Sequence, residues 1–189
     1  VVDSFLLLKN QHVERFFHVY NLKSRQKVGE RISFGIGPEE MLDPMWVSMA
    51  GDSLGIVDKN KRIMDIYPDS RWLVSDTDSP VRRISFNELL LNPVCLPEVG
   101  IISSTTQSEE HKFVLFDFEG NCLSYFGDYP SAYKNSTVYE KLIAFMGDMA
   151  VKPDGSRWVM SHKAMDMIEI YDSRLNLLHR IQGPDGIFP

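Results

Sequence analysis

Cysteine is scarce in this chain: its 189 residues include only Cys95 and Cys122. Two cysteines alone do not assign a redox compartment. Basic residues are outnumbered, with 20 Lys and Arg against 26 Asp and Glu, for a net charge of −6. A general nucleic-acid binder would need a basic stripe, so this balance argues against nucleic acid as a partner. It is compatible with a soluble extracytoplasmic protein. No run of about 18 apolar residues occurs, so no membrane-spanning segment is predicted. Phe5-Leu6-Leu7-Leu8 has only the length of a strand, and no signal peptide is recognisable. If the protein is exported, its targeting segment lies outside this sequence.

Reaction-centre motifs are also missing. There is no Gly-x-Ser-x-Gly elbow for a serine nucleophile. Gly35-Ile36-Gly37-Pro38 lacks the Lys-Ser/Thr tail of a phosphate loop, and its proline deletes a backbone donor that a phosphate cradle would use. It reads as a turn. The histidines, His12, His18, His111, His162 and His179, show no dense metal pattern. His12 and His18 share a face of an extended segment, but would lie about 20 Å apart.

What the chain does have is ordinary globular composition, 43% hydrophobic and 24% charged, arranged in a repeated phrase. Each copy is an apolar run, then Asp or Asn, then a few polar residues and a second run. The Asp or Asn of each copy serves as a ruler: Asn21, Asp58, Asp117 and Asp172, in steps of 37, 59 and 55 residues. The mean step is near the roughly 40–50 residues of a four-stranded propeller blade. Phe, Val, Ile and Tyr suit pleated, half-buried strands. The Asp or Asn bonds its own backbone and starts a turn. In the last copy a second hairpin precedes the first, across Lys152-Pro153-Asp154-Gly155-Ser156. Residues 148–181 therefore predict four strands in series, one antiparallel blade. Phe34-Gly35-Ile36-Gly37-Pro38, Phe126-Gly127-Asp128-Tyr129-Pro130 and Ile181-Gln182-Gly183-Pro184 end three copies with a strand-breaking glycine near a proline. The second copy reaches Pro93 without that glycine. An ordinary β-sandwich is the competing architecture, since regular strand spacing suits it too.

The fold class read from this pattern is all-β: a β-propeller of four-stranded antiparallel blades, with about four blades in this sequence. The expected organisation is a single domain over 1–189, with blade-like repeats at 1–38, 39–93, 94–130 and 148–189. The residues of Phe34 to Met41, Asn92-Pro93, and Phe116-Asp117-Phe118-Glu119-Gly120-Asn121 running into Phe126-Gly127-Asp128-Tyr129-Pro130 resemble the TolB-like six-bladed β-propeller proteins, largely uncharacterised exported proteins or lipoproteins of the Bacteroides group. The resemblance implies a six-bladed ring, a periplasmic or envelope location, and attachment by a lipid on a removed N-terminal segment. It implies no catalytic residues. Because six blades of about 50 residues need about 300 residues, the chain reads as part of a longer propeller, with a complete four-bladed ring as the alternative.

In this register Cys95 opens the inner strand of the third copy and Cys122 lies on its outer strand. Three strand steps put them about 14 Å apart, beyond the roughly 7 Å a disulfide allows. Free thiols are expected. Acidic residues near inner-strand starts, Asp52, Asp148 and Glu98, are the places for a channel ligand. Ca²⁺ in the channel is a minor alternative, because it wants six to eight oxygens and no convincing set recurs across the copies. Otherwise no cofactor and no metal site is expected. His162 follows a strand in Ser161-His162-Lys163; a solvated loop histidine is the preferred reading, and a ligand contact the alternative. Trp72 follows Tyr67-Pro68-Asp69-Ser70 and reads as partly exposed, a candidate anchor for a partner. Trp46 and Trp158 read as fillers of blade interfaces. Asn135-Ser136-Thr137 matches a glycosylation triplet by chance. In the connection 131–147, Tyr139, Leu142, Ile143 and Phe145-Met146 are spaced for one or two amphipathic helical turns, although a plain packing loop is preferred. The functional expectation is a non-enzymatic scaffold binding a peptide, glycan or protein in the bacterial envelope; the alternative is a channel-metal hydrolase or lactonase.

Overall fold

The computed structural model of the chain describes residues 3–10, 14–49 and 53–184. The turn chemistry of the repeat is present in all four copies. Asn21 Oδ1 accepts from the backbone N–H groups of Lys23 and Ser24 at 2.9 and 3.0 Å. Asp58 Oδ1 does the same for Asn60 and Lys61 at 2.9 and 3.1 Å. Asp117 Oδ1 accepts from Glu119 and Asn121 at 2.9 and 2.8 Å, and Asp172 Oδ1 from Arg174 and Asn176, both at 2.9 Å. A side chain that satisfies two turn donors fixes where the strand stops and its partner begins.

Strands run on both sides of these turns and form four four-stranded sheets. The first contains β1 (Phe5–Lys9), β2 (Arg15–Asn21), β3 (Gln26–Phe34) and β4 (Glu40–Met41). The second contains β5 (Pro44–Ser48), β6 (Leu54–Asp58), β7 (Ile63–Tyr67) and β8 (Arg82–Ser85). The third contains β9 (Leu91–Leu96), β10 (Gly100–Ser104), β11 (His111–Phe116) and β12 (Cys122–Asp128), and the fourth β13 (Gly147–Val151), β14 (Arg157–His162), β15 (Met167–Asp172) and β16 (Leu177–Gln182). Within the third and fourth sheets, neighbours in sequence are antiparallel neighbours in space. The first sheet departs from the expected antiparallel set. Its two-residue β4 pairs parallel with β3, Ser33 opposite Glu40 and Phe34 opposite Met41, across the loop at Gly35-Ile36-Gly37-Pro38.

The contacts divide the chain into two compact units: one carries the first two sheets up to Ile84, the other the last two from Ser85. The first unit buries Phe17, Val19, Ile32, Met41, Ile56, Tyr67 and Leu73, with Trp46 packed against them. Trp72 belongs to this core and is 4% exposed. It lies in a 3-10 turn over Ser70–Val74 and stacks on Tyr67 with centroids 3.8 Å apart. The expected partial exposure is therefore corrected: Trp72 is buried, in a turn whose N-cap is Asp69, which accepts from the Arg71 N–H. The second unit buries Leu96, Ile102, Phe113, Trp158, Met160 and Tyr171. Trp158 stacks on Tyr171 at 4.2 Å, and Phe113 meets both edge-on.

Gly127 lies inside β12 rather than after it. Its φ is +75°, and a Cβ there would stand 2.6 Å from the Phe113 ring. Only glycine allows that close approach without strain. Between the third and fourth sheets, the connection holds a helix, α1 (Val138–Phe145), where a plain loop was preferred. The triplet threonine supplies its start. Thr137 Oγ1 accepts from the Glu140 N–H, and Glu140 answers at the Thr137 N–H at 2.7 Å, a reciprocal capping box. Both cysteines are free, Cys95 buried and Cys122 exposed.

Candidate functional site

In β15 the buried face is Met167, Glu169 and Tyr171, while Ile168 is 40% exposed. Glu169 thus occupies a core position, and its side chain is fully buried. A buried carboxylate must be paired and hydrogen-bonded, and four neighbours meet that need. Lys112 Nζ from β11 donates to both oxygens at 2.7 and 2.6 Å. Arg180 from β16 donates to Oε1 through Nε and Nη2 at 3.1 and 2.7 Å. The Tyr171 hydroxyl donates to Oε2 at 2.9 Å. His162 places Nε2 3.2 Å from Oε2 and donates Nδ1–H to the Phe145 carbonyl at 2.9 Å. Burial opposes ionisation of Glu169, but His162, Lys112 and Arg180 together outweigh it and hold its carboxyl below the ordinary range. Burial likewise pulls the Lys112 ammonium down, against the attraction of Glu169.

This hub ties the two sheets to α1. The Phe145 ring at the end of α1 meets Tyr129 at 5.2 Å, Tyr133 at 4.9 Å and His162 at 5.6 Å, each edge-on. Beside it opens a cleft of about 440 Å³, lined by Glu109, Glu110, His111, Asp128, Tyr129, Pro130, Ser131, Lys134 and Lys141. Sheet pairing sets one wall: His111 opens β11 and Asp128 closes β12 directly opposite, with Nδ1 and Oδ1 2.9 Å apart. The other wall comes from the 131–134 turn and from α1. Burial pushes the Tyr129 phenol up to about 12, so it stays protonated in neutral solution. A pocket of this size with a few placed polar groups is the form a small-ligand site takes. A second cleft of about 470 Å³ lies in the first unit, lined by residues including Arg15, Ser33, Glu39 and Asp78. There Arg15 pairs with Asp78, and the Ser79 hydroxyl donates to Glu39.

The sequence-predicted site residues do not gather. Asp52 lies outside the described residues. Asp148 is exposed on β13 and pairs with Lys163 at 3.0 Å. Glu98 is an exposed hairpin residue with φ +61°. His162 is not a solvated loop residue. It ends β14 with its ring fully buried, because the adjacent Phe145 carbonyl and Glu169 carboxylate recruit both nitrogens. Among the described residues, no group of three or more His, Cys, Asp or Glu is placed to hold a metal ion. Lys112, Glu169, Arg180 and Lys141 were missed. The available signal was Lys112 and Glu169 standing inside otherwise apolar strands.

The profile of the TolB-like 6-blade propeller-like family matches residues 1–187. No curated protein matches the chain. Among solved structures, it is similar to a Bacteroides fragilis NCTC 9343 protein whose name describes it as exported, at 13% identity and a TM-score of 0.64, covering 97% of this chain and 49% of that one. It is also similar to the β-propeller domain of Myceliophteria thermophila Cps50 (Swd1), at 12% identity and a TM-score of 0.54, covering 97% and 53%. A third is KlAtg21, solved with the coiled coil of AgAtg16, at 14% identity and a TM-score of 0.50, covering 94% and 53%. The chain thus spans about half the length of these structures. The four sheets are blades of a β-propeller. No helix among the described residues is long and apolar enough to cross a membrane.

Proposed function

The chain belongs to the TolB-like 6-blade propeller-like family, and from that premise we propose that it is a binding scaffold of the bacterial envelope whose ligand docks in the cleft between His111 and Lys141. One observation carries the reading. The cleft combines a 440 Å³ volume, a mixed polar and aromatic lining and a buried ionic hub directly behind it. Rigid backing of this kind lowers the ordering cost of binding. An envelope location is supported by the exported relative in Bacteroides fragilis. Attachment through a lipid is part of the proposal, and fractionation of the native cells with fatty-acid labelling tests it.

The binding claim is tested by titration calorimetry of the purified chain against a small panel of oligosaccharides and short peptides. Ser131 is exposed at the cleft mouth, so Ser131→Trp fills the cleft without touching the core. The expected result is at least one ligand bound by the natural chain and lost in Ser131→Trp. A panel that binds nowhere, or equally to both proteins, contradicts the proposal.

A further inference from the structure

Within the cleft, one buried charge lacks a counter-charge. Lys141 is 4% exposed, about as buried as Lys112 at 3%. Lys112 has both oxygens of Glu169. Lys141 has the Glu109 carbonyl at 2.8 Å and the face of the Tyr129 ring at 5.6 Å. An ammonium carries three donors, and among the described residues only that carbonyl accepts from it. Buried charges are ordinarily paired. Glu109 and Tyr129 both line the cleft, so the ammonium between them lies at the cleft wall. Lys134, exposed on the same wall, adds a second positive charge, and Ser131 adds a hydroxyl. Negative charge is supplied by Glu110 and by Asp128, whose side chain is 85% exposed.

A site that holds one sign deep and the other at its rim matches a ligand carrying both. Resting on the reading of this cleft as the binding site, we propose that its ligand is a short peptide with free termini. The carboxylate pairs with Lys141 and Lys134 and accepts from Ser131, and the ammonium is held by Glu110 and Asp128. The volume of about 440 Å³ lies at the small end of ligand pockets, as a peptide of a few residues requires.

Calorimetry with trialanine, trialanine amide, N-acetyl-trialanine and maltotriose tests this. The expected result is that trialanine binds, that amidation weakens it at least about tenfold, and that acetylation weakens it several-fold. Lys141→Met is expected to weaken trialanine by the same factor as amidation, with little further effect on the amide. If Lys141→Met does not fold, Lys134→Gln replaces it, and a several-fold loss is expected. Equal affinity for trialanine and its amide overturns the proposal, as does unchanged affinity in the lysine variant. Maltotriose binding that Ser131→Trp abolishes, with no peptide bound, leaves the cleft as the binding site and removes the peptide. No binding sensitive to Ser131→Trp removes both.

Discussion

Glu169 shows how one residue can bind a unit together and yet be costly. Replacing a buried, multiply bonded carboxylate leaves its cations without a counter-charge, typically at about 3–5 kcal/mol. Glu169→Gln is therefore expected to lower the unfolding free energy by that amount near neutral pH, read by urea denaturation. Tyr171→Phe removes only one donor and is expected to cost about 1 kcal/mol. The pH dependence has a definite sign. The carboxyl is held below its ordinary 4.5 in the folded chain, so the unfolded chain takes up this proton first as the pH falls. The stabilisation is complete above that value and is lost as the pH drops toward the folded value. The gap between the natural chain and Glu169→Gln is expected to hold from about pH 7 to about pH 5 and to narrow between about pH 5 and about pH 3.5; a gap that stays constant over the lower range would contradict the assignment. Cysteine gives a simpler test. Burial pushes the Cys95 thiol up to about 12, whereas Cys122 is exposed. A maleimide is expected to label Cys122 in the folded chain and Cys95 only after unfolding.

At the scale of elements, the repeat was legible because its chemistry is local. Asn21, Asp58, Asp117 and Asp172 bond backbone two to four residues away, within reach of a pattern read along the chain. The copies are not equivalent, however. Asp58 is fully buried, and its second oxygen accepts from the Leu42 N–H at 2.5 Å, a contact 16 residues distant. Asp58→Ala is expected to cost about 2–3 kcal/mol, whereas Asp117→Ala at an exposed turn is expected to cost about 1 kcal/mol. Thermal unfolding of the two variants checks the order. The site was hidden for the complementary reason. Lys112 and Glu169 are 57 residues apart, and in Met167-Ile168-Glu169-Ile170-Tyr171 the isoleucines disguise which face is buried. Trp72 misled because an aromatic after a Pro-Asp-Ser turn looks exposed until the capped 3-10 turn is built. The helix was legible only as a spacing, although Thr137 and Glu140 spell its cap. Thr137→Ala is expected to cost about 0.5–2 kcal/mol and to weaken ligand binding, because α1 carries Lys141.

For the whole molecule, sequence pattern and family profile agree on a β-propeller, and a fold of that kind hosts many functions. In the second unit, an ionic hub buried between two blades backs a cleft with one incompletely paired ammonium. The most direct test is to map backbone amide chemical shifts of the isotope-labelled chain as trialanine is added. The account predicts saturable shifts concentrated at His111, Tyr129, Ser131, Lys134 and Lys141. Shifts gathered instead around Arg15 and Glu39, or no saturable shift at all, would contradict it.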